Sequence, residues 1–449
     1  MYQSINPFTY ELLKTYSFSS FPDIQLSVKA QQEWSRFTIK ERGNVLKIIA
    51  EKIQSNRDEY ARLITAEMGK PIREAYYEID KTLTAFDYYI PNSEQHLAKE
   101  FVQTNASKSY ISFEPLGVIL SVMPWNFPFW QVFRFAVPSL MAGNVTILKH
   151  APNVPQCAEA IHQLFEDERL PKHLVVNCFL ANEDVAQLIT KPEIAGVTFT
   201  GSDTTGAIIA GLAGQNIKKC VVELGGNDPF IVLDDADLDL AIAGAIKSRS
   251  INSGQSCNAA KRFIVTEKNY SLFIAKLTAA VNSLIVGDPL LEATQIGPIA
   301  RKDLADKVHT QIAQTIAQGA KAITNPSSIS VKSNFVAPTI LTDVTPTMCA
   351  FQEEIFGPVW TVIKANSTEH AIELANNTVF GLGASIWTAD EKAGEELAPQ
   401  LQCGNVFIND IVKSDARLPF GGIKRSGFGR ELSEFGLREF VNVKTVYIR

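Results

Sequence analysis

Between Gly117 and Gly226 the chain alternates short apolar runs with longer amphipathic segments. "GVILSVMPW" and "NVTILKH" read as strands, "QCAEAIHQLFEDERL" as a helix and "VVNCFL" as a strand. "EDVAQLIT" reads as a helix, "GVTFTG" as a strand, "TTGAIIAGLA" as a helix and "CVVELGG" as a strand. Apolar runs too short to be helices, separated by helical segments, are the pattern of a parallel sheet covered on both faces. After Gly226 the alternation restarts. "FIVL" and "RFIVTE" read as strands, and "DADLDLAIAGAIKSRS" as a helix with an acidic first turn. In "KDLADKVHTQIAQTIAQGA", Leu304, Val308, Ile312 and Ile316 recur every fourth residue, which predicts one apolar helix face closed by Gly319.

Upstream, residues 25–66 read as helical and amphipathic. "FVQTNASKSYISFEP" looks like a strand pair and "FVNVKTVYIR" like a strand, able to extend a sheet into a partner subunit or to pair within the chain. The expected organisation is therefore two α/β halves. Residues 1–100 and 117–224 form one, 225–427 the other, and 101–116 with 440–449 a small β element.

Length agrees: 449 residues at about 150 per domain suggest two or three domains. Apolar content of 46% and charged content of 20% are ordinary for a globular chain. A net charge of −6 without a basic block gives no reason to expect nucleic acid or an anionic membrane as partner. "MYQSINPFTYELLK" lacks a basic start followed by an apolar run, so no signal peptide is read, and no apolar stretch approaches the length of a membrane span. The six cysteines include no C-x-x-C and the six histidines no H-E-x-x-H. Reduced thiols in a cytoplasm, without a metal site, are the expectation.

One cysteine stands apart. Cys257, in "NSGQSCNAAKR", lies among small polar residues rather than the apolar neighbours of a packing cysteine. Ser253, Gly254 and Ser256 would let a substrate approach and leave backbone N–H groups free, a setting for a nucleophile. Asn126, in "MPWNFPFW", is held in a rigid aromatic turn. It could donate its amide to an oxyanion or satisfy the turn itself. Glu223 closes an apolar strand before a double glycine, as a partly desolvated base or an exposed strand-end acid. No G-x-G-x-x-G follows a strand; "GFGREL" lacks the third glycine. "VTFTGSDTTG" offers a Gly-Ser turn into a helix start, either an N-cap or a phosphate cradle with Gly201 and Ser202. Lys149, ending a strand, faces either solvent or a ligand crevice.

"PWNFP", "FTGS", "VELGG", "GQSC" and "EEIFGP", in that order and spacing, resemble the NAD(P)-dependent aldehyde dehydrogenase superfamily over nearly the whole chain. "LKHAPNVP", "GQSCNAAKRF", "SDARLPFGG" and "SGFGRELSEFGL" are similar to the short bacterial succinate-semialdehyde dehydrogenases within it. The resemblance implies two Rossmann-type open sheets with a small β oligomerisation element. It implies a homodimer or homotetramer, and oxidation of a small aldehyde by NAD or NADP through a cysteine thiohemiacetal and thioester. By it, Cys257 is the nucleophile, Glu223 the base for water, and Asn126 with the Cys257 N–H the oxyanion hole. Trp125, Lys149, Gly201, Ser202, Gly206, Glu354 and Phe356 match cofactor positions. Ser414 matches a loop that closes over substrate, with Arg417 beside it. Bottom-up, Arg134, eight residues beyond Asn126, is a candidate for a substrate carboxylate, or else a structural arginine paired with the protein's own acids.

Three departures bear on these implications. Pro152 stands where many NAD-specific members carry a glutamate, so cofactor preference is open. Ala259 stands where a second, redox-active cysteine occurs, and Ile251 where some relatives place an arginine. A broad aldehyde or other semialdehyde dehydrogenase is the rival enzyme reading, and a CoA-acylating member fits less well because Glu223 is present to serve water. A binding protein that kept the fold is the non-enzyme reading.

Overall fold

The computed structural model describes residues 1–323 and 334–449. Its first sheet has six strands. Val118–Val122, Val145–Lys149, Val175–Asn177, Ile194–Thr200 and Lys219–Glu223 run parallel, and Gly427–Phe428 returns antiparallel along the edge strand. All five parallel strands coincide with apolar runs read from the sequence. The three central ones are buried along nearly their whole length, as a sheet covered on both faces requires.

Among the described residues the second sheet has seven strands. Its centre is Pro229–Val232 between Arg262–Thr266 and Gly383–Trp387, all parallel. Leu238–Ser250 and Glu267–Asn282 cover one face. Residues 101–116 and the C-terminus pair with each other: Val441–Ile448 lies antiparallel to Lys108–Pro115, and Glu100–Phe101 completes a three-stranded sheet. Phe101, Val102, Val443 and Tyr447 are exposed on or beside it.

Residues 25–66 are helical as read, in three helices, Ile24–Trp34, Ile39–Ser55 and Arg57–Met68. Other elements differ from the reading. The chain opens with an unread hairpin, Tyr2–Ile5 with Leu12–Tyr16. In Lys302–Ala317 the buried face is Ala305, Val308, Gln311 and Thr315, and Ile316 is exposed. The fourth-residue spacing drifts around a helix of 3.6 residues per turn, so the apolar stripe leaves the core before the helix ends. "GFGREL" opens with the edge strand Gly427–Phe428, paired with Glu223 and Val222. There a Cβ on Gly427 would lie 2.0 Å from the Val222 carbonyl oxygen, so close backbone approach explains the glycine. No helix among the described residues is long and apolar enough to cross a membrane, and none of their His, Cys, Asp and Glu residues cluster as a metal site.

Candidate active site

The C-terminal ends of the first sheet's parallel strands face one cleft, where open α/β sheets place ligands. Asn126 follows the strand Val118–Val122, Gly201 and Ser202 follow Ile194–Thr200, and Glu223 ends its own strand. The second unit brings Cys257 and Glu354 to the opposite wall. Together these residues line a cavity of about 570 Å³.

Cys257 owes its place to a tight preceding turn. Asn252, Ser253 and Gly254 all take left-handed backbone angles, with φ of 54°, 55° and 79°. Such angles are costly for residues with a Cβ and persist only where surroundings enforce them. Here the Glu74 carboxylate accepts the Asn252 N–H, and Ser253 Oγ donates to the Gly297 carbonyl at 3.1 Å. The Asn252 side chain donates to the Asn126 carbonyl at 2.8 Å. Asn126 in turn donates one amide N–H to the Gln255 carbonyl at 3.1 Å. That bond fixes the amide beside the nucleophile turn and leaves its second N–H unengaged among the described residues. Lys261, buried, donates to the carbonyls of Ser256 and Cys257 and pairs with Glu354 at 3.1 Å. Burial pushes the Cys257 thiol well above its ordinary range, with Glu223 adding to the rise and Arg134 and Lys261 opposing it.

Glu223 is 2% exposed and does not stand alone. Arg134 Nη2 donates to Glu223 Oε2 at 2.8 Å and lies 2.5 Å from Glu431 Oε2. Two carboxylates share one guanidinium, and burial pushes the Glu431 carboxyl up to about 7, with Arg134 opposing. This corrects the expectation for Arg134. Its side chain is 2% exposed and matched to the protein's own acids, so it is not a free cation for a substrate carboxylate. Arg417 is likewise committed, gripping Asp415 through Nε and Nη2 at 2.8 and 2.6 Å. Ser414 is half-buried in the same loop.

The cleft suits a dinucleotide. Ser202 caps the helix Asp203–Gln215 by accepting the Thr205 N–H, so the helix start presents its remaining N–H groups beside Gly201. Trp125 and Phe356 meet edge to face at 5.9 Å, both on the cavity wall, near the carboxylate of Glu354. Lys149 and Gly206 do not line that cavity. Gly206 lies where a Cβ would meet Leu224 at 2.3 Å, so it serves helix-to-strand packing. Lys149 is buried over the Tyr2 ring, and burial lowers its ammonium to about 8. Four residues on, both polar atoms of the Asn153 amide are buried without a partner. An unmatched ammonium and an unmatched amide at a strand end fit the hydroxyls and phosphate of a nucleotide.

Sequence reading missed Glu431, Lys261, Asn252 and Glu74. Each is an ordinary residue type whose meaning comes from a partner far away in the chain. Only the basic residue four places after Cys257 was near enough to prompt a question.

The aldehyde dehydrogenase family model matches residues 1–446. The succinate semialdehyde dehydrogenase Sad of Escherichia coli (strain K12), named for NAD(P)+, is 46% identical over 448 residues, covering 99% of this chain and 97% of that one. A probable succinate-semialdehyde dehydrogenase of Synechocystis, named for NADP(+), is 46% identical and covers 99% of both chains. The crystal structure of succinic semialdehyde dehydrogenase from Streptococcus pyogenes in complex with NADP+ superposes with a TM-score of 0.96 at 36% identity, over 100% of each chain.

Proposed function

The chain belongs to the aldehyde dehydrogenase family, and from that premise we propose that it oxidises succinate semialdehyde to succinate with NAD(P)+ as acceptor. The carrying observation is that Cys257, Asn126 and Glu223 meet in one cavity. The relatives named above give the substrate its support.

In this reading the thiol is neutral at rest, because its burial and Glu223 disfavour the thiolate. Glu223 Oε1 is buried without a hydrogen-bond partner and takes the Cys257 proton. The sulfur then bonds to the aldehyde carbon, and the carbonyl electron pair moves to oxygen. The free N–H of Asn126 and the Cys257 N–H hold that oxyanion, worth about 10²–10³ in rate for a well-placed donor. The nicotinamide, when bound, accepts the aldehyde hydrogen with its electron pair. Gly201, Ser202, Trp125, Glu354 and Phe356 would hold the cofactor, with Lys149 and Asn153 at its adenosine end. A thioester remains on Cys257. Once Glu223 has released the thiol's proton to solvent through the cavity, it removes a proton from water, whose oxygen bonds to the thioester carbon as the sulfur leaves as thiolate. Glu431, sharing Arg134 with Glu223, provides a second carboxylate able to carry that proton onward.

The exposed apolar residues of the three-stranded sheet suit contact with a second copy of the chain. The six cysteines, all free thiols, suit the reducing cytoplasm. The test is a panel of succinate semialdehyde, butyraldehyde and acetaldehyde with each cofactor, followed at 340 nm. The semialdehyde should give the highest kcat/KM; equal values for all three would overturn the substrate assignment.

A further inference from the structure

With Arg134 committed to Glu223 and Glu431, another cation must hold the substrate's far carboxylate if the semialdehyde reading is right. The helix Ile72–His96 carries Lys81 with its ammonium over the Trp130 ring, 4.9 Å from the centroid. Among the described residues no ion pair or hydrogen bond holds that ammonium. Its acidic neighbours are engaged elsewhere. Glu78 pairs with Lys70 and accepts the N–H groups of Phe129 and Trp130 at 2.8 and 3.1 Å. Asp415 is gripped by Arg417.

Lys81 nevertheless stands close to the chemistry. Its charge acts on Cys257, Arg134, Glu78 and Asp415, groups drawn from both α/β units, its own helix and the Ser414 loop. It does not line the cofactor cavity, so it approaches the nucleophile from elsewhere. Burial, with Arg134 adding to it, lowers its ammonium to about 8, while Cys257, Glu78 and Asp415 oppose the shift. A half-buried cation without an ion pair is costly unless a ligand completes it. A four-carbon semialdehyde keeps its carboxylate about 4 Å from the carbonyl carbon at ~1.5 Å per bond. That length requires the partner cation to be next to the nucleophile. The Trp130 face adds an apolar wall for the methylenes.

We propose that Lys81 binds the distal carboxylate of the substrate, making it the residue that selects an acidic aldehyde over an apolar one. The inference rests on the semialdehyde reading. The experiment compares kcat/KM for succinate semialdehyde and butyraldehyde in the wild type, Lys81→Met and Lys81→Arg. Lys81→Met should lower the ratio of the two by about 30-fold or more, chiefly through the KM for the semialdehyde. Lys81→Arg should recover most of it. If Lys81→Met lowers both substrates equally, or neither, Lys81 is structural and the inference fails. Lys81→Gln replaces it if the methionine variant does not fold. The wild-type ratio separates the two claims. A wild type without preference overturns the substrate reading and Lys81 with it, whereas a selective wild type with an unaltered variant ratio overturns Lys81 alone.

Discussion

Arg134 donates to Oε2 of Glu223 at 2.8 Å and leaves Oε1 of the same carboxylate buried without a partner. The arrangement orients a base without consuming it. One oxygen is pinned by a cation, and the other keeps its lone pairs for a proton. A fully paired carboxylate would be a poor base, and an unpaired one would be costly to bury.

Glu223→Gln should therefore separate the two halves of the reaction. The glutamine fits the same space but cannot take a proton from water. A pre-steady-state burst of reduced cofactor should persist, slowed where thiol deprotonation depends on Glu223, and steady turnover should fall by about 10²–10⁴-fold. Stopped-flow absorbance at 340 nm reads both phases. An unchanged steady rate would place the base elsewhere.

The strands of the first unit were legible in the sequence, and so were Cys257, Asn126 and Glu223, which the structure brings to one cavity, for a physical reason. Each sits where a strand or turn ends, and such ends carry local signals: "PWNFP" stiffens one turn, "VELGG" frees another, and small residues surround the thiol. Arg134 was misjudged because its meaning is set by Glu431, 297 positions later in the chain, delivered by an edge strand of only two residues. Glu74 was invisible for the same reason, since its single informative bond is to Asn252. The stripe read in Lys302–Ala317 holds at Val308, with Leu304 and Ile312 packed against the core, but it missed Gln311 and Thr315, which are buried as hydrogen-bonding groups that an apolar pattern does not count.

Glu431 should leave a mark on stability. Burial raises its carboxyl to about 7 in the folded chain, against roughly 4.3 for an unfolded glutamate. Between those values the folded state binds more protons, so stability falls as pH rises. The contribution is full below the ordinary carboxylate range and is lost as pH passes about 7. Asp228, raised to about 7 by burial, acts in the same direction. The urea midpoint of the wild type should fall from pH 5 to pH 8, and Glu431→Gln should flatten that slope. Identical slopes for the two proteins would remove Glu431 from the account.

Both NAD and NADP should support turnover. Pro152 offers no carboxylate to repel a 2′-phosphate, and Lys149 is an unmatched cation on the same strand end. The one acid at the helix start, Asp203, is neutralised by Arg425 at 2.7 Å. The two kcat/KM values should lie within about 1000-fold, roughly 4 kcal/mol. A wider gap would mean that another group discriminates between them.

Gly254 tests whether the strained turn positions the nucleophile. Its φ of 79° is open to glycine and costly for other residues. A Cβ built there would lie 2.3 Å from the Gly357 carbonyl oxygen, which is backbone and cannot swing aside. Gly254→Ala must therefore shift either the turn or the segment "EEIFGP" that carries Glu354 and Phe356. Either shift disturbs Cys257, three residues on, and loosens the Asn126–Gln255 bond that fixes the oxyanion donor. The expected result is a loss of stability of about 1–3 kcal/mol, typical of strain at a special backbone angle, together with a fall in kcat larger than any change in cofactor affinity. Urea denaturation gives the first quantity, single-turnover kinetics the second, and cofactor titration by tryptophan fluorescence the third. A variant that folds less stably yet keeps wild-type single-turnover rates would show that the turn matters to the fold and not to the placement of the thiol.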